Sequence, residues 1–222
     1  MPFLCVAVME DTVKAAVKAA GRLDCDIVEL RLDKVEDASD LHLLAKIRKP
    51  VIATCMPKWE GGYFRGSEEA RAKLLAAAIK YADYVSLEMR MRRSLRDQLM
   101  KTAHKEGANV ILTYHDFKST PTKAKIMGIL RAQQGMGAGI AKVAFMPKKY
   151  ADVLNVMSAQ VEAKLRIPVI ALSMGELGRA SRILSPMLGG YLTFASRGVG
   201  EGTAKGQYTL NQMKAFRRLL GG

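Results

Sequence analysis

Cysteine is scarce in this chain of 222 residues. Its three cysteines, Cys5, Cys25 and Cys55, form an odd set with no CxxC spacing. That argues against a disulfide framework and against a structural zinc site, and it favours buried thiols in a reducing, cytoplasmic setting. Long apolar runs are also missing. No stretch reaches the ~20 residues that a membrane helix needs. The longest charge-free run among the later strands, Ile183 to Ser196, is broken by Pro186, Gly189 and Gly190. The opening MPFLCVAVME lacks a basic lead and a small-residue cleavage site and meets Glu10 and Asp11 at once, so no secretory signal is expected. Aromatics amount to 6%, and no stacking platform or recognised nucleic-acid motif is visible. The turn after Met9 reads EDTVKAA without a glycine, which removes the Gly-x-Gly-x-x-Gly phosphate turn of an open dinucleotide-binding sheet.

What is present is a globular balance, 49% hydrophobic and 25% charged. The length suits one large core without covalent staples. No Pro-, Gly- or Ser-rich linker divides residues 1–222, which read as a single domain. The formal net charge of +14 attracts anions of any kind, whether nucleic acid, an anionic membrane face or an acidic metabolite, and does not choose among them. Arg90, Arg92, Arg93, Arg96 and Lys101 read as one exposed helix face.

Short β-branched apolar runs alternate with longer amphipathic ones. The strand candidates are Phe3–Met9, Asp26–Asp33, Val51–Met56, Tyr84–Met89, Asn109–His115, Ile140–Met146, Pro168–Met174 and Tyr191–Ala195. The runs between them read as helices. Ser67 suits an N-cap, with Glu68 and Glu69 in the first turn, and Ala70–Ala82 places Leu74, Leu75, Ala78 and Ile79 on one stripe. Thr209–Leu220 repeats the pattern with Leu210, Met213, Phe216, Leu219 and Leu220 before a terminal Gly-Gly. Eight strand–helix units of this size predict a single eightfold (β/α) TIM barrel, whose chemistry sits at the C-terminal ends of the strands.

A charge inside an apolar strand is costly unless it is paired or used. Lys142 interrupts IAKVAFMP. A lysine facing the lumen of a barrel, neutralised by desolvation, could attack a carbonyl and form a Schiff base; at a frayed edge it would only snorkel to water. In DIVELRLD, Glu29, Arg31 and Asp33 alternate with Val28, Leu30 and Leu32 and share one face, a row suited to hydroxyls or a carboxylate. His115, in TYHDF, falls at the end of the fifth strand, where an imidazole can serve as general base and then general acid. Glu88, ending the fourth strand, or Glu60, in WEGGYF, could hold that ring. His42 and His104 sit in helical runs and read as surface or packing residues. The loop SRGVGEGTAKGQ carries Gly198, Gly200, Gly202 and Gly206 and fits either phosphate binding or closure over a carboxylate.

Together these residues resemble the type I 3-dehydroquinate dehydratases, Schiff-base enzymes of the shikimate pathway of aromatic amino-acid biosynthesis. The resemblance runs from Asp26 to Gln207 on ELRLD (Glu29–Asp33), EGG (Glu60–Gly62), YHDF (Tyr114–Phe117), KVAFMP (Lys142–Pro147), SMG (Ser173–Gly175), Ser181-Arg182, Thr193-Phe194 and Gly206-Gln207. It implies a hydro-lyase in which Lys142 forms the imine with the C3 ketone, and His115 takes the C2 proton and then protonates the departing C1 hydroxyl. By the same resemblance Glu60 tunes the histidine, Glu29 and Arg31 hold ring hydroxyls, Arg182, Thr203 and Gln207 bind the carboxylate, and Met174 packs on the ring. It further implies a small anionic substrate, 3-dehydroquinate, with no metal, no organic cofactor, no nucleic acid and no membrane partner, and a homodimer.

Three departures stand out. The family's arginine after the third strand is replaced by Met56, leaving Lys58 or Arg65 to supply the charge; its aspartate near the end of strand four is Ser86, leaving Glu88 there; and its Ser-Ala-Pro-Gly-Gln loop reads Thr203-Ala204-Lys205-Gly206-Gln207. From the residues alone two other classes stay open: a class I aldolase acting on a phosphorylated sugar, and a nucleic-acid-binding protein.

Overall fold

The computed structural model describes residues 2–219. Its elements alternate as β1 (Phe3–Val8), α1 (Val13–Gly21), β2 (Ile27–Arg31), β3 (Val51–Thr54), α2 (Glu68–Ile79), β4 (Tyr84–Glu88), α3 (Arg93–Glu106), β5 (Asn109–Asp116), α4 (Lys123–Gly135), β6 (Ile140–Phe145), α5 (Tyr150–Glu162), β7 (Val169–Ser173), α6 (Ser181–Met187), β8 (Leu192–Ala195) and α7 (Leu210–Leu219). All eight expected strands form. Their order in the sheet, β7-β6-β5-β4-β3-β2-β1-β8, sets each strand beside its neighbour in sequence. The Tyr191 amide, entering β8, donates to the Val169 carbonyl at the start of β7 at 2.8 Å. This is the topology of the eightfold (β/α) barrel class, as the spacing of the apolar runs predicts. Within that class the contacts divide into two compact units. One is Ala7–Leu112; the other joins the chain up to Val6 with the chain from Thr113 on.

In the unit Ala7–Leu112, β2, β3 and β4 run parallel with Glu29 beside Ile52, Arg31 beside Thr54 and Thr54 beside Ser86. The expected helix after β2 does not form. Two 3-10 segments, Leu32–Lys34 and Leu41–Lys46, stand there instead. The Asp37 carboxylate accepts the Ser39 amide and hydroxyl, both at 2.9 Å, and a side chain that caps its own turn competes with a helical backbone. Helix α2 begins where the sequence predicts, with the Ser67 hydroxyl accepting the Ala70 amide at 3.2 Å, but it stops at Ile79. Its buried stripe carries Leu75, Ala78 and Ile79, with Leu74 half-buried at the margin.

The same stripe buries Arg71 completely. Its guanidinium reaches Glu88 at 2.7 Å, Glu68 at 3.0 Å and the Cys55 carbonyl at 2.8 Å, fastening α2 to the ends of β3 and β4. The arginine run after β4 is not one exposed face. Arg90 pairs with Glu60, Arg92 with Glu69, and Arg96 is buried, donating to the Met89 carbonyl. Arg90 and Arg92 precede α3, so helical spacing does not apply to them.

In the other unit, Ile126 and Leu130 of α4 and Val156, Met157 and Ala159 of α5 pack on Ala141, Val143 and Phe145 of β6 and on Ala171 of β7. Alternation along β6 therefore turns Ile140, Lys142 and Ala144 away from this helix layer. In α7, Leu210 and Met213 are buried and Phe216 is half-buried, but Leu219 is exposed; Leu220 and the terminal Gly-Gly lie outside the described residues. The three cysteines are free and buried, the burial expected of thiols that act as small apolar side chains. Among the described residues no helix is long and apolar enough to cross a membrane.

Arg71 gives the fold a sharp test. At pH 8, where Glu88 is ionised, Arg71→Met is expected to lower the unfolding free energy in urea by about 3–5 kcal/mol, because it strands a buried carboxylate. Adding Glu88→Gln should recover part of that loss. A decrease below about 1 kcal/mol for the single variant would show that the ion pair does not hold α2 in place.

Candidate active site

Each unit contributes its own set of polar side chains at strand ends. In Ala7–Leu112, β2 ends at Arg31 and the chain turns, so Asp33 is not a third member of a strand row. It folds back instead, and Arg31 donates to it through Nε at 2.8 Å and Nη2 at 2.7 Å. The Tyr63 amide also donates to Asp33, at 3.0 Å. Burial disfavours charge on Arg31, but the Asp33 hydrogen bond and charge, together with Glu29, raise it and hold the guanidinium ionised. The Glu29 carboxylate accepts the Thr54 hydroxyl at 3.0 Å.

The EGG turn has a steric origin. A Cβ at Gly62 would stand 1.9 Å from the Met56 carbonyl oxygen, so only glycine lets the loop double back. That turn buries Glu60 completely, and Arg90 pairs with it at 3.0 Å while stacking over Trp59 at 5.3 Å. Lys58 and Arg65, the two candidates for the missing strand-three arginine, both line one polar cleft of about 770 Å³ with Asp11, Asp33, Lys34 and Tyr63. Glu88 is ion-paired with Arg71, a partner the sequence reading did not find. Burial pushes the Glu88 carboxyl up, to about 7, against the pull of Arg71 and with added repulsion from Glu60. Burial likewise raises the Cys55 thiol, so this cysteine is no nucleophile.

In the unit from Thr113 on, the Met146 amide donates to the Asp116 carbonyl at 2.9 Å. In a parallel ladder that bond sets Phe145 beside Asp116 and so Ala144 beside His115. Tyr114 packs into the helix layer, its ring 6.0 Å from that of Phe145. His115 therefore faces the opposite way, on the same side as Ala144 and Lys142 and one strand away from them. The His115 ring stacks on Phe117 at 6.2 Å.

Lys142 is 6% exposed, and its Nζ lies 4.2 Å above the centre of the Phe194 ring. The buried Gln133 of α4 donates to the Lys142 carbonyl at 2.9 Å. Met174 follows β7 and is buried, its amide donating to the Phe145 carbonyl at 2.8 Å. Arg182 is 3% exposed and its Nε has no acceptor. Burial lowers its pKa to about 10, opposed only by Tyr208. No carboxylate among the described residues pairs with it. Thr203 and Gln207 are tied to each other: Gln207 Oε1 accepts the Thr203 amide at 2.9 Å and the Ala204 amide at 3.3 Å, and its Nε2 faces the Thr203 hydroxyl at 3.4 Å.

Arg71 and Gln133 were missed by the sequence reading, and Arg90 was placed on an exposed face rather than against Glu60. Arg71 had a signal, since residues 71, 75, 78 and 79 share one helical stripe. Arg90 and Gln133 had none. Among the described residues no group of three or more His, Cys, Asp or Glu side chains is arranged to hold a metal ion.

A family model described as type I 3-dehydroquinase matches residues 4–222. The 3-dehydroquinate dehydratase of Desulfotalea psychrophila is 37% identical, with 96% of this chain and 96% of that protein covered. That of Methanocaldococcus jannaschii is 36% identical over 98% of each. Among solved structures, a type I 3-dehydroquinate dehydratase from Clostridium difficile, solved with covalent modified comenic acid, superposes with a TM-score of 0.90 at 28% identity, covering 99% of this chain and 92% of that one.

Glu88 makes stability depend on pH in a known direction. Between the ordinary carboxylate value of 4.5 and about 7, the folded protein keeps a proton that the unfolded chain has released. Stability should therefore fall as pH rises across that window and stay level above it. Denaturation midpoints from pH 4 to 8 should lose this downward slope in Glu88→Gln; an unchanged slope would assign it to another group.

Proposed function

The chain belongs to the type I 3-dehydroquinase family, and we propose that it removes water from 3-dehydroquinate through an imine on Lys142. Family membership replaces the aldolase and nucleic-acid alternatives. The observation that carries the chemistry is Lys142 itself: an amine buried in an apolar strand, over an aromatic face, on the side of β6 away from the helices.

The amine adds to the C3 ketone, and loss of one water gives an iminium that draws electrons from the C2–H bond. His115 removes the C2 proton. The resulting enamine expels the C1 hydroxyl, which leaves as water when His115 returns the proton. A second water then hydrolyses the imine, releasing 3-dehydroshikimate and the free amine, so the net change is the loss of one water. Placement of His115 and Lys142 on one face of adjacent strands supports this division of labour.

Arg182 supports the choice of a carboxylate. A buried guanidinium without an anion is costly, and a substrate carboxylate would supply the missing charge. Thr203 and Gln207 offer a hydroxyl and an amide to the same group, and Met174 an apolar surface to the ring. In Ala7–Leu112, Glu29, Arg31 and Glu60 keep the recognition and tuning roles that the resemblance implies, and Lys58 stands in for the missing strand-three arginine.

Borohydride reduction in the presence of 3-dehydroquinate should leave a stable adduct on the peptide containing Lys142, read by mass spectrometry. Lys142→Ala should lose both adduct and activity; a Lys142→Ala enzyme that still forms the conjugated, ultraviolet-absorbing product would end the proposal. His115→Ala is expected to lower kcat by roughly 10²–10⁴-fold. Arg182→Ala should raise KM by about 10- to 100-fold, the range for losing a charge-assisted hydrogen bond.

A further inference from the structure

We propose that Arg179 is a positioning residue for carboxylate recognition, clasping the segment that carries Thr203 and Gln207 against the turn that carries Arg182. The inference rests on the binding roles proposed above for those three residues, and it assigns the feature that holds them together. Arg179 itself reaches no group proposed to touch substrate. Its guanidinium lies 4.6 Å over the Tyr208 ring, and its Nη1 faces Glu176 at 3.4 Å. Its Nε has no acceptor, which fits a planar cation held by its face rather than by its edge.

The clasp has three parts. The first is the ring. Tyr208 follows Gln207 directly and stands edge-on to Phe216 of α7, with centroids 5.2 Å apart at 73°. The ring is thus anchored on a helix and also carries Arg179. The second is the stem. A Cβ at Gly206 would meet the Gly175 carbonyl oxygen at 2.2 Å and Arg179 Cγ at 3.2 Å. The loop therefore touches the turn after β7 through bare backbone, and the Arg179 methylenes cover the contact. The third is the connection onward. The Arg182 amide donates to the Arg179 carbonyl at 3.1 Å, so the residue that grips the loop is also part of the turn that presents Arg182.

Loop ordering of this kind acts on substrate affinity rather than on bond making, because the imine-forming and proton-transferring groups lie elsewhere in the unit. The measurement compares Arg179→Leu, Tyr208→Leu and Tyr208→Phe with the wild type in two assays: steady-state kinetics on 3-dehydroquinate, and the rate of tryptic cleavage after the exposed Lys205 in the folded protein without substrate. Arg179→Leu and Tyr208→Leu should raise KM by roughly 3- to 30-fold, the range of a cation–π contact, with kcat within about twofold and faster cleavage after Lys205. Tyr208→Phe keeps the ring and should match the wild type in both assays.

Unchanged KM and unchanged cleavage in both leucine variants would overturn the clasp, as would a loss confined to kcat. If Arg179→Leu fails to fold, the contrast between Tyr208→Leu and Tyr208→Phe decides alone. If the wild type does not act on 3-dehydroquinate, the dehydratase reading fails, while the cleavage assay still decides whether Arg179 holds the loop.

Discussion

The parity of one strand governs the chemistry open to this protein. Along β6, Ala141, Val143 and Phe145 are committed to the layer formed by α4 and α5. A strand has only two faces, so Lys142 must take the other one. A shift of one residue would drive its amine into that apolar layer and turn Phe145 out of it. The core thus fixes which face of the strand carries the amine. The Gln133 side chain adds to this by holding the Lys142 carbonyl from the helix side. The same parity, carried across the bond between Met146 and Asp116, places His115 on the face that Lys142 occupies.

Buried guanidinium groups sort by how their charge is answered. Arg31 has Asp33, and Arg71 has Glu88 and Glu68. Burying a charge demands such a partner, since losing one member of a buried pair costs about 3–5 kcal/mol. Arg182 breaks the pattern: it is as deeply buried, yet no carboxylate among the described residues faces it, and burial lowers its pKa. Under the proposed function the substrate carboxylate supplies the missing charge. An anion that arrives as ligand meets the same electrostatic demand and is bound more tightly for it.

The fold was legible because apolar runs in a parallel barrel strand are nearly continuous and the turns between them are marked by caps. The eight runs matched β1 to β8 with ends differing by at most two residues. The helix expected after β2 failed because Asp37 and Ser39 satisfy each other locally, a contest that periodicity does not see. Leu219 shows the opposite error: a residue can continue a helical stripe past the last element it could pack on. Lys142 and His115 stood out as polar residues in apolar strands. Arg90 did not, because its significance lies in Glu60, thirty positions away in the chain and folded under a separate turn. Single-sequence patterns carry local period, not pairing between distant loops.

The loop after β8 shows how one substitution moves an energetic burden elsewhere. Where the family resemblance implies Ser-Ala-Pro-Gly-Gln, this chain has Lys205 in place of the proline. Proline narrows the conformations of an unbound loop, and replacing it by a freer residue raises the entropy lost on ordering by about 0.4–1 kcal/mol. Gly198, Gly200, Gly202 and Gly206 add to that loss. Ordering must then come from outside the loop backbone. The Gln207 amide knots residues 203 and 204 from within. The cation over Tyr208 and the backbone contact at Gly175 hold the knot from without. Under the proposed function Gln207 therefore has two competing uses, closing its own loop and meeting the substrate. A clasp that does not depend on Gln207 is what would let it leave the first for the second without the loop coming apart.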